Sequence, residues 1–457
     1  MPNKNILTYA SRVNAVEQNY YAPAVTVPAT GLSFSYYCFL AKVDPWADEN
    51  NPDQPTQDQA SLKRVFKNIF AVKKININDM SPVVERINWT TGTVYSYYQD
   101  NVDMLALDPN GFLVYKFYVK NKYDQVFKCL WNNNGAASTI EPYFEPGTYG
   151  TNNVFQGADG YKWKYIYTID TGLKVKFMDT TWMPILAGPT VSSAGGLPAY
   201  PNGGNIDVIN VTDGGDNYDS VLYPITVSIT GDGTGAAGYA VVSSNAISDV
   251  IVTNSGQNYT YANVSFSSAQ GSGATAVSPT SPVGGHGSNP IEELGCSHVM
   301  YTSQFIGTEG GAVSANVYYH QVGLILNPTT ADSFPNPANG QIYKTCTTFN
   351  LAAGFGQYSQ DELVYQGTSL AAATFVGTVL DYDTASSTLS IINITGTPIT
   401  NAPVFGNTTK TARTLLSYSG TQSGYNTYSG QILYVENRTG IQRSPDGIEQ
   451  FRFVLGY

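Results

Sequence analysis

Residues 431–457 read QILYVENRTGIQRSPDGIEQFRFVLGY. Two apolar runs stand out. Ile432, Leu433, Tyr434 and Val435 form the first; Phe451, Phe453 and Leu455 alternate with Arg452 and Val454 in the second. A period of two predicts two strands. The polar stretch between them carries Arg438, Arg443, Pro445 and Asp446-Gly447, which predicts a turn. Chain ends usually fray, so an ending that alternates like a sheet implies a use for it: packing a core, or holding an assembly together. Glu436, Asn437 and Arg438 fence the first run with polar groups.

The same alternation recurs upstream. FSYYCFLAKV (34–43), FLVYKFYV (112–119) and GYKWKYIYTID (160–170) all read as strands. In the last, Tyr161, Trp163, Tyr165 and Tyr167 share one face, while Lys162, Lys164 and Ile166 take the other, so a half-buried strand with an aromatic face is expected. One stretch in residues 1–190 breaks the pattern. Gln57–Lys74 places Leu62, Val65, Phe66 and Ile69 at helical spacing and predicts a helix.

Residues 188–204, rich in Gly, Pro and Ser, read as a linker. Beyond it lies a repeat. IDVINVTDGGDNYDSVLYPITVSITGDGTGAAGYAVV (206–242) and ISDVIVTNSGQNYTYANVSFSSAQGSGATAVSPT (247–280) each give a strand, a Gly-x-x-Tyr element (Gly215–Tyr218, Gly256–Tyr259), a second strand, a Gly-rich turn and an Ala-rich strand. Two like β units packed together are expected. Gly233-Thr-Gly235 lacks the Lys and the following helix of a phosphate loop. Asp213, Asp216 and Asp232 lack calcium-loop spacing and suit turns. Residues 361–415 bring further short strands separated by Gly, Asp and Ser, which suggest a small barrel or sandwich. The fold class expected is therefore mainly β: a multi-domain β-sandwich core with few helices and two inserted small β modules.

Composition agrees. The chain has 457 residues, enough for roughly three domains. Charged residues are 12%, about half the usual share, while Tyr numbers 34 and Gly 44. Few charges and many tyrosines suit surfaces that partners cover. The net charge of -11 argues against a nucleic-acid groove, which needs a basic stripe. Lys63, Arg64, Lys67, Lys73 and Lys74 make one basic patch, read as a solvated or subunit-contacting face. Cys38, Cys129, Cys296 and Cys346 lie far apart and form no CxxC pair, so a zinc site is not expected; no motif calls for another metal or a cofactor, and none is expected. MPNKNILTYASRVNAV has no apolar signal core, and no run reaches the ~18 apolar residues of a membrane span. A protein made in a reducing cytoplasm with free thiols is expected.

No reaction centre can be assembled from motifs. His286, His298 and His320 belong to no HExxH, and Gly367-Thr-Ser-Leu lacks the closing glycine of a nucleophile elbow. His286 sits in a Gly-His-Gly turn, where a structural role is expected. Glu292-Glu293 and Asp361-Glu362 are adjacent acids, which on a strand would face opposite ways. No enzyme and no small-molecule substrate are expected.

Six segments, in order, resemble the baseplate wedge subunit of T-even-type contractile-tailed phages, the gene-eight product family. They are FLAKVDPWADENNPDQP with Asp44, Pro45 and Trp46; VKKININDMSPVVERINWTTGTVY with Arg86 to Trp89; VFKCLWNNNGAASTIEP with Cys129 and Leu130; DGYKWKYIYTI with Tyr161 and Trp163; GLILNP at 323–328; and the ending with Tyr434, Glu436, Asn437 and Arg438. The resemblance covers about residues 30–190, 286–345 and 425–457. It implies a core in three pieces (1–195, 286–345 and 419–457) interrupted by modules at 200–285 and 346–418, similar to modules in structural proteins of cyanophage-type myoviruses. It implies a structural virion protein: a homodimer bound to neighbouring wedge subunits, assembled in the host cytoplasm, with no nucleic acid and no membrane span. Trp46, Trp89 and Trp163 are expected as core anchors, and Arg86, Glu436 and Arg438 as polar pairs or subunit contacts. The alternative is a receptor- or glycan-binding tail protein that grips carbohydrate with its inserted modules. The repeat offers Tyr218, Tyr223, Tyr239, Tyr259 and Tyr261 for this, but no Trp.

Overall fold

A computed structural model describes residues 8–24, 26–27, 32–147, 153–186, 203–420 and 424–457. The chain is mainly β, 43% strand against 11% helix. It divides into two compact units, one of Met1–Glu17, Ser81–Val299 and Leu455–Tyr457, the other of Gln18–Met80 and Met300–Val454. Most of the linker expected at 188–204 lies outside the described residues.

In the second unit, five antiparallel strands form a sheet in the order Ile342–Lys344, Ile69–Ile75, Tyr36–Ala41, Tyr318–Leu326, Gln431–Gln442. All six residues of Tyr36–Ala41 are buried, because this strand is central and covered on both faces. The helix expected over 57–74 is corrected by this sheet. Helix α2 spans Gln59–Asn68 only. Asp58 caps it, accepting from the Ser61 backbone N–H at 2.9 Å. At Ile69 the chain becomes extended, since Ile69, Phe70, Ala71 and Val72 are all buried when paired against Tyr36–Ala41. Tertiary pairing overrides the helical spacing there. The final strands are also longer than the apolar runs suggest. Gln431–Gln442 carries the polar residues Glu436 to Thr439 within it, and Ile448–Gly456 follows.

Also in the second unit, six strands close into a barrel in the order Thr347–Leu351, Thr388–Gly396, Phe375–Asp383, Leu363–Gln366, Pro403–Gly406, Ala412–Ser419. Phe349, Val364, Phe375, Leu389, Ile391 and Leu415 fill it. Closure removes every free edge, which such short strands need.

In the first unit, four strands pair in the order Tyr118–Lys120, Gln125–Asn132, Tyr161–Thr168, Val154–Gln156. Trp163 stacks on Tyr161 at 5.5 Å and meets the edge of Tyr95 at 5.5 Å. The lysine face of Tyr161–Thr168 is not a solvent face. Lys162 and Lys164 are buried. Lys162 Nζ lies 2.7 Å from Asp249 and Lys164 Nζ 2.8 Å from Asp207, both in the repeat.

The two repeats do not sit side by side; they exchange strands. The third strand of the first repeat, Thr234–Ser243, pairs with the first strand of the second, Ala246–Gln257. Thr275–Val277 of the second returns to pair with Asn210–Asp213 of the first. The middle strands Thr226–Gly231 and Ala262–Ser267 pair with each other, and Ile209 bridges Val250. Each Gly-x-x-Tyr element turns at a glycine in the left-handed region, Gly215 at φ 62° and Gly256 at φ 64°. Each tyrosine then lies against a glycine of the opposite repeat. A Cβ on Gly233 would strike the Tyr259 ring, and one on Gly271 the Tyr218 ring. That close approach explains the Gly233-Thr-Gly235 motif without any phosphate.

Among the described residues there are four α-helices where the sequence pattern showed one. Helix α1, Tyr9–Tyr21, buries only Val13 and Val16, too narrow an apolar stripe to read. Helices α3, Thr171–Phe177, and α4, Pro290–Glu293, are short and begin at the caps Asp170 and Asn289. Glu292-Glu293 therefore lies on a helix and not on a strand.

Candidate functional site

Asp44, Pro45 and Trp46 lie in the loop that leaves strand Tyr36–Ala41; Glu436, Asn437 and Arg438 lie in strand Gln431–Gln442. Nearly the whole chain separates them, yet they meet. Trp46 Nε1 donates to the Arg438 carbonyl at 2.7 Å. Asn437 Nδ2 donates to the Asp53 carbonyl at 2.6 Å, and Thr439 Oγ1 to the Glu49 carbonyl at 2.7 Å. The Glu49 carboxylate accepts from Gly440 N at 2.8 Å and Trp46 N at 2.8 Å. Those N–H groups, Gly440 first, hold its pKa below the usual carboxylate range, and His320 adds to them.

The strand pairing sets up this latch. Between Asn437 and Ile441 the register against Tyr318–Leu326 shifts. The shift leaves backbone groups of residues 438–440 without ladder partners, and the loop supplies them. His320 lies opposite. Its ring meets Trp46 edge-on at 6.3 Å, and its Nε2 is 3.3 Å from Glu49. Burial pushes the His320 pKa down. A Cβ on Gly440 would come within 2.5 Å of His320 Nε2, so only glycine leaves room for the imidazole.

Trp46 is half-buried at this latch and not a core anchor, while Asp44 and Pro45 are exposed. Glu436 and Arg438 pair with each other at 2.8 Å, both about one-third exposed (35% and 31%). A pair that open to water is worth about 0–1 kcal/mol. The buried cation of this ending is Arg443, fully enclosed, held by Glu449 at 2.9 Å and the Gly307 carbonyl at 2.7 Å.

Beside the latch, within the second unit, is a cleft of about 860 Å³. Its walls are the 42–56 loop, helix α2, the barrel at Asp361 and Asn393, and the sheet at Gln321 and Asn437. Buried Lys42 enters it and pairs with Asp361 at 2.6 Å. The basic patch read in the sequence divides here. Lys73 is taken by Glu309 at 2.7 Å and Lys74 by the Asn339 carbonyl at 3.3 Å. Arg64 and Lys67 line the cleft and, among the described residues, bond to hydroxyls alone, those of Ser61 and Thr395.

The remaining candidates belong to the first unit. Arg86 donates to Asn88 Oδ1 at 3.1 Å and to the Asp179 carbonyl at 2.6 Å; its partners are neutral. Trp89 Nε1 donates to Ser138 Oγ at 3.0 Å, with the ring half-buried against the aromatic cluster. Tyr161 OH donates to the Ala136 carbonyl at 2.6 Å. Trp163 is fully enclosed, as a core anchor must be.

Motif reading missed one buried ionic group. Lys128 Nζ is 3.0 Å from Glu293 Oε1, and His286 Nδ1 is 2.5 Å from the same oxygen. Lys128 also sits over the Tyr98 ring at 3.7 Å. Burial raises the Glu293 pKa, but Lys128, His286 and the Gly287 N–H outweigh it and hold the carboxyl low. Burial and Lys128 push His286 down. The group is thus an ion pair with a neutral imidazole, enclosed by aromatic rings. No sequence spacing could join Lys128 to Glu293.

Compared with protein-family models and with curated proteins, the chain matches none.

Proposed function

We propose that this chain is a structural subunit of the baseplate wedge of a contractile-tailed bacteriophage. In this reading it is a homodimer that links neighbouring wedge proteins during assembly and contraction, resides in the virion, and has no catalytic role. The observation that carries the reading is the latch. The segments that resemble the wedge family at the two ends of the chain, Asp44–Trp46 and Glu436–Arg438, are joined through Trp46 Nε1 and the Arg438 carbonyl. A part that transmits force needs its ends tied into sheets, where pulling must break several ladder bonds together. The low charge and the high tyrosine content suit extensive permanent interfaces.

Gold-antibody labelling of intact virions tests this. Label on the baseplate body is expected. Label along fibre tips, or none on virions, overturns the reading.

A further inference from the structure

We propose that the cleft between the 42–56 loop, helix α2 and the barrel binds a neutral oligosaccharide. The inference rests on the cleft alone and not on the wedge reading. Its volume of about 860 Å³ lies within the ~300–1,000 Å³ of ligand sites.

The lining chooses the ligand class. Lys42, Arg64 and Lys67 are matched in number by Asp44, Asp53 and Asp361, so neither an anion nor a cation is favoured overall. Five carboxamides project there: Gln54, Asn68, Gln321, Asn393 and Asn437. Gln54, Asn68 and Asn393 each offer a donor and an acceptor, the pairing that a hydroxyl, itself both, requires, while the amides of Gln321 and Asn437 bond to each other. An apolar peptide anchor would need a deep hydrophobic pocket; here the aromatic surface is Trp46 beside Pro45. An indole next to planar polar groups suits a sugar ring, with its C–H face against the indole and its hydroxyls toward the amides.

Two of the lining residues, Gln321 and Lys42, are buried. Gln321 is only 7% exposed. Its Nε2 donates to Asn437 Oδ1 at 2.7 Å, but its Oε1 accepts nothing among the described residues. Lys42, 4% exposed, makes the Asp361 ion pair and no further hydrogen bond there.

The test is a glycan array of neutral glucose-, galactose- and mannose-based oligosaccharides beside sulfated ones, probed with the full labelled chain and followed by titration calorimetry. Binding to neutral members is expected, unchanged when salt is raised to about 1 M, where the screening length is about 3 Å. The exposed double variant Arg64→Ala/Gln54→Ala should weaken binding about tenfold or more, the loss of one or two hydrogen bonds, with an unchanged melting curve. No binding to any array member, binding confined to sulfated members, or binding undiminished in the surface variant overturns the proposal.

Discussion

At the scale of single residues, burial governs the titration of the histidines. The chain has three histidines. Burial lowers the pKa of each, with Lys128 adding to the effect at His286 and Lys42 at His320. A base whose folded pKa is depressed stays neutral in the fold while the unfolded chain takes up a proton. Below the unfolded value of about 6.5 the unfolded state therefore binds more protons, and stability falls as pH drops. We expect the unfolding midpoint at about pH 5.5 to lie below that at about pH 7.5, a window above the titration of ordinary carboxylates. Thermal melts across that range check it; a flat or rising midpoint toward acid excludes neutral buried histidines. The carboxyl of Glu293, held low, adds a separate loss further into acid.

At the scale of elements, the alternation in 34–43 and 160–170 was enough to read strands, because a period of two is a local property. What covers each face is not local. Lys162 and Lys164 read as a solvent face because their partners, Asp249 and Asp207, lie far along the chain. Helix α2 was legible from its spacing but its end was not, since the strand beginning at Ile69 owes its state to Tyr36–Ala41. The repeat was legible as two copies, whereas the exchange of strands between them was not, for either pairing would use the same pattern. The exchange makes a specific prediction. Gly233→Val and Gly271→Val should each push a tyrosine of the other repeat aside, and each should cost about 1–3 kcal/mol as overpacking does. Hydrogen exchange should rise across both repeats in either variant. Exchange rising only in the repeat that carries the substitution would mean that the repeats fold separately.

At the scale of the whole molecule, the convergence of Asp44–Trp46 with Glu436–Arg438 could not be read from spacing, because only the completed sheet brings positions 46 and 438 together. The last strand, Ile448–Gly456, belongs to another sheet, next to His298–Ile306, and its side chains show what the ending does. Phe451 and Phe453 are both 2% exposed. Phe451 meets Phe305 at 6.1 Å and Tyr319 at 5.9 Å; Phe453 meets Tyr434 at 5.4 Å. Arg438 lies over the Phe451 ring at 5.5 Å. The last residues serve the other unit as well, where Tyr457 N donates to the Ser297 carbonyl at 2.8 Å. Removing one such phenylalanine side chain costs about 3–5 kcal/mol, and a native fold holds only about 5–15 kcal/mol in all. Deleting Phe451–Tyr457 should therefore remove enough to unfold the chain or to separate the proposed dimer, while Phe451→Ala should leave it folded with a lowered midpoint. Size-exclusion chromatography with light scattering distinguishes these outcomes. A truncated chain that stays a soluble dimer would show that the final strand decorates the sheet without holding it, and the structural argument for its role in force transmission would fail with it.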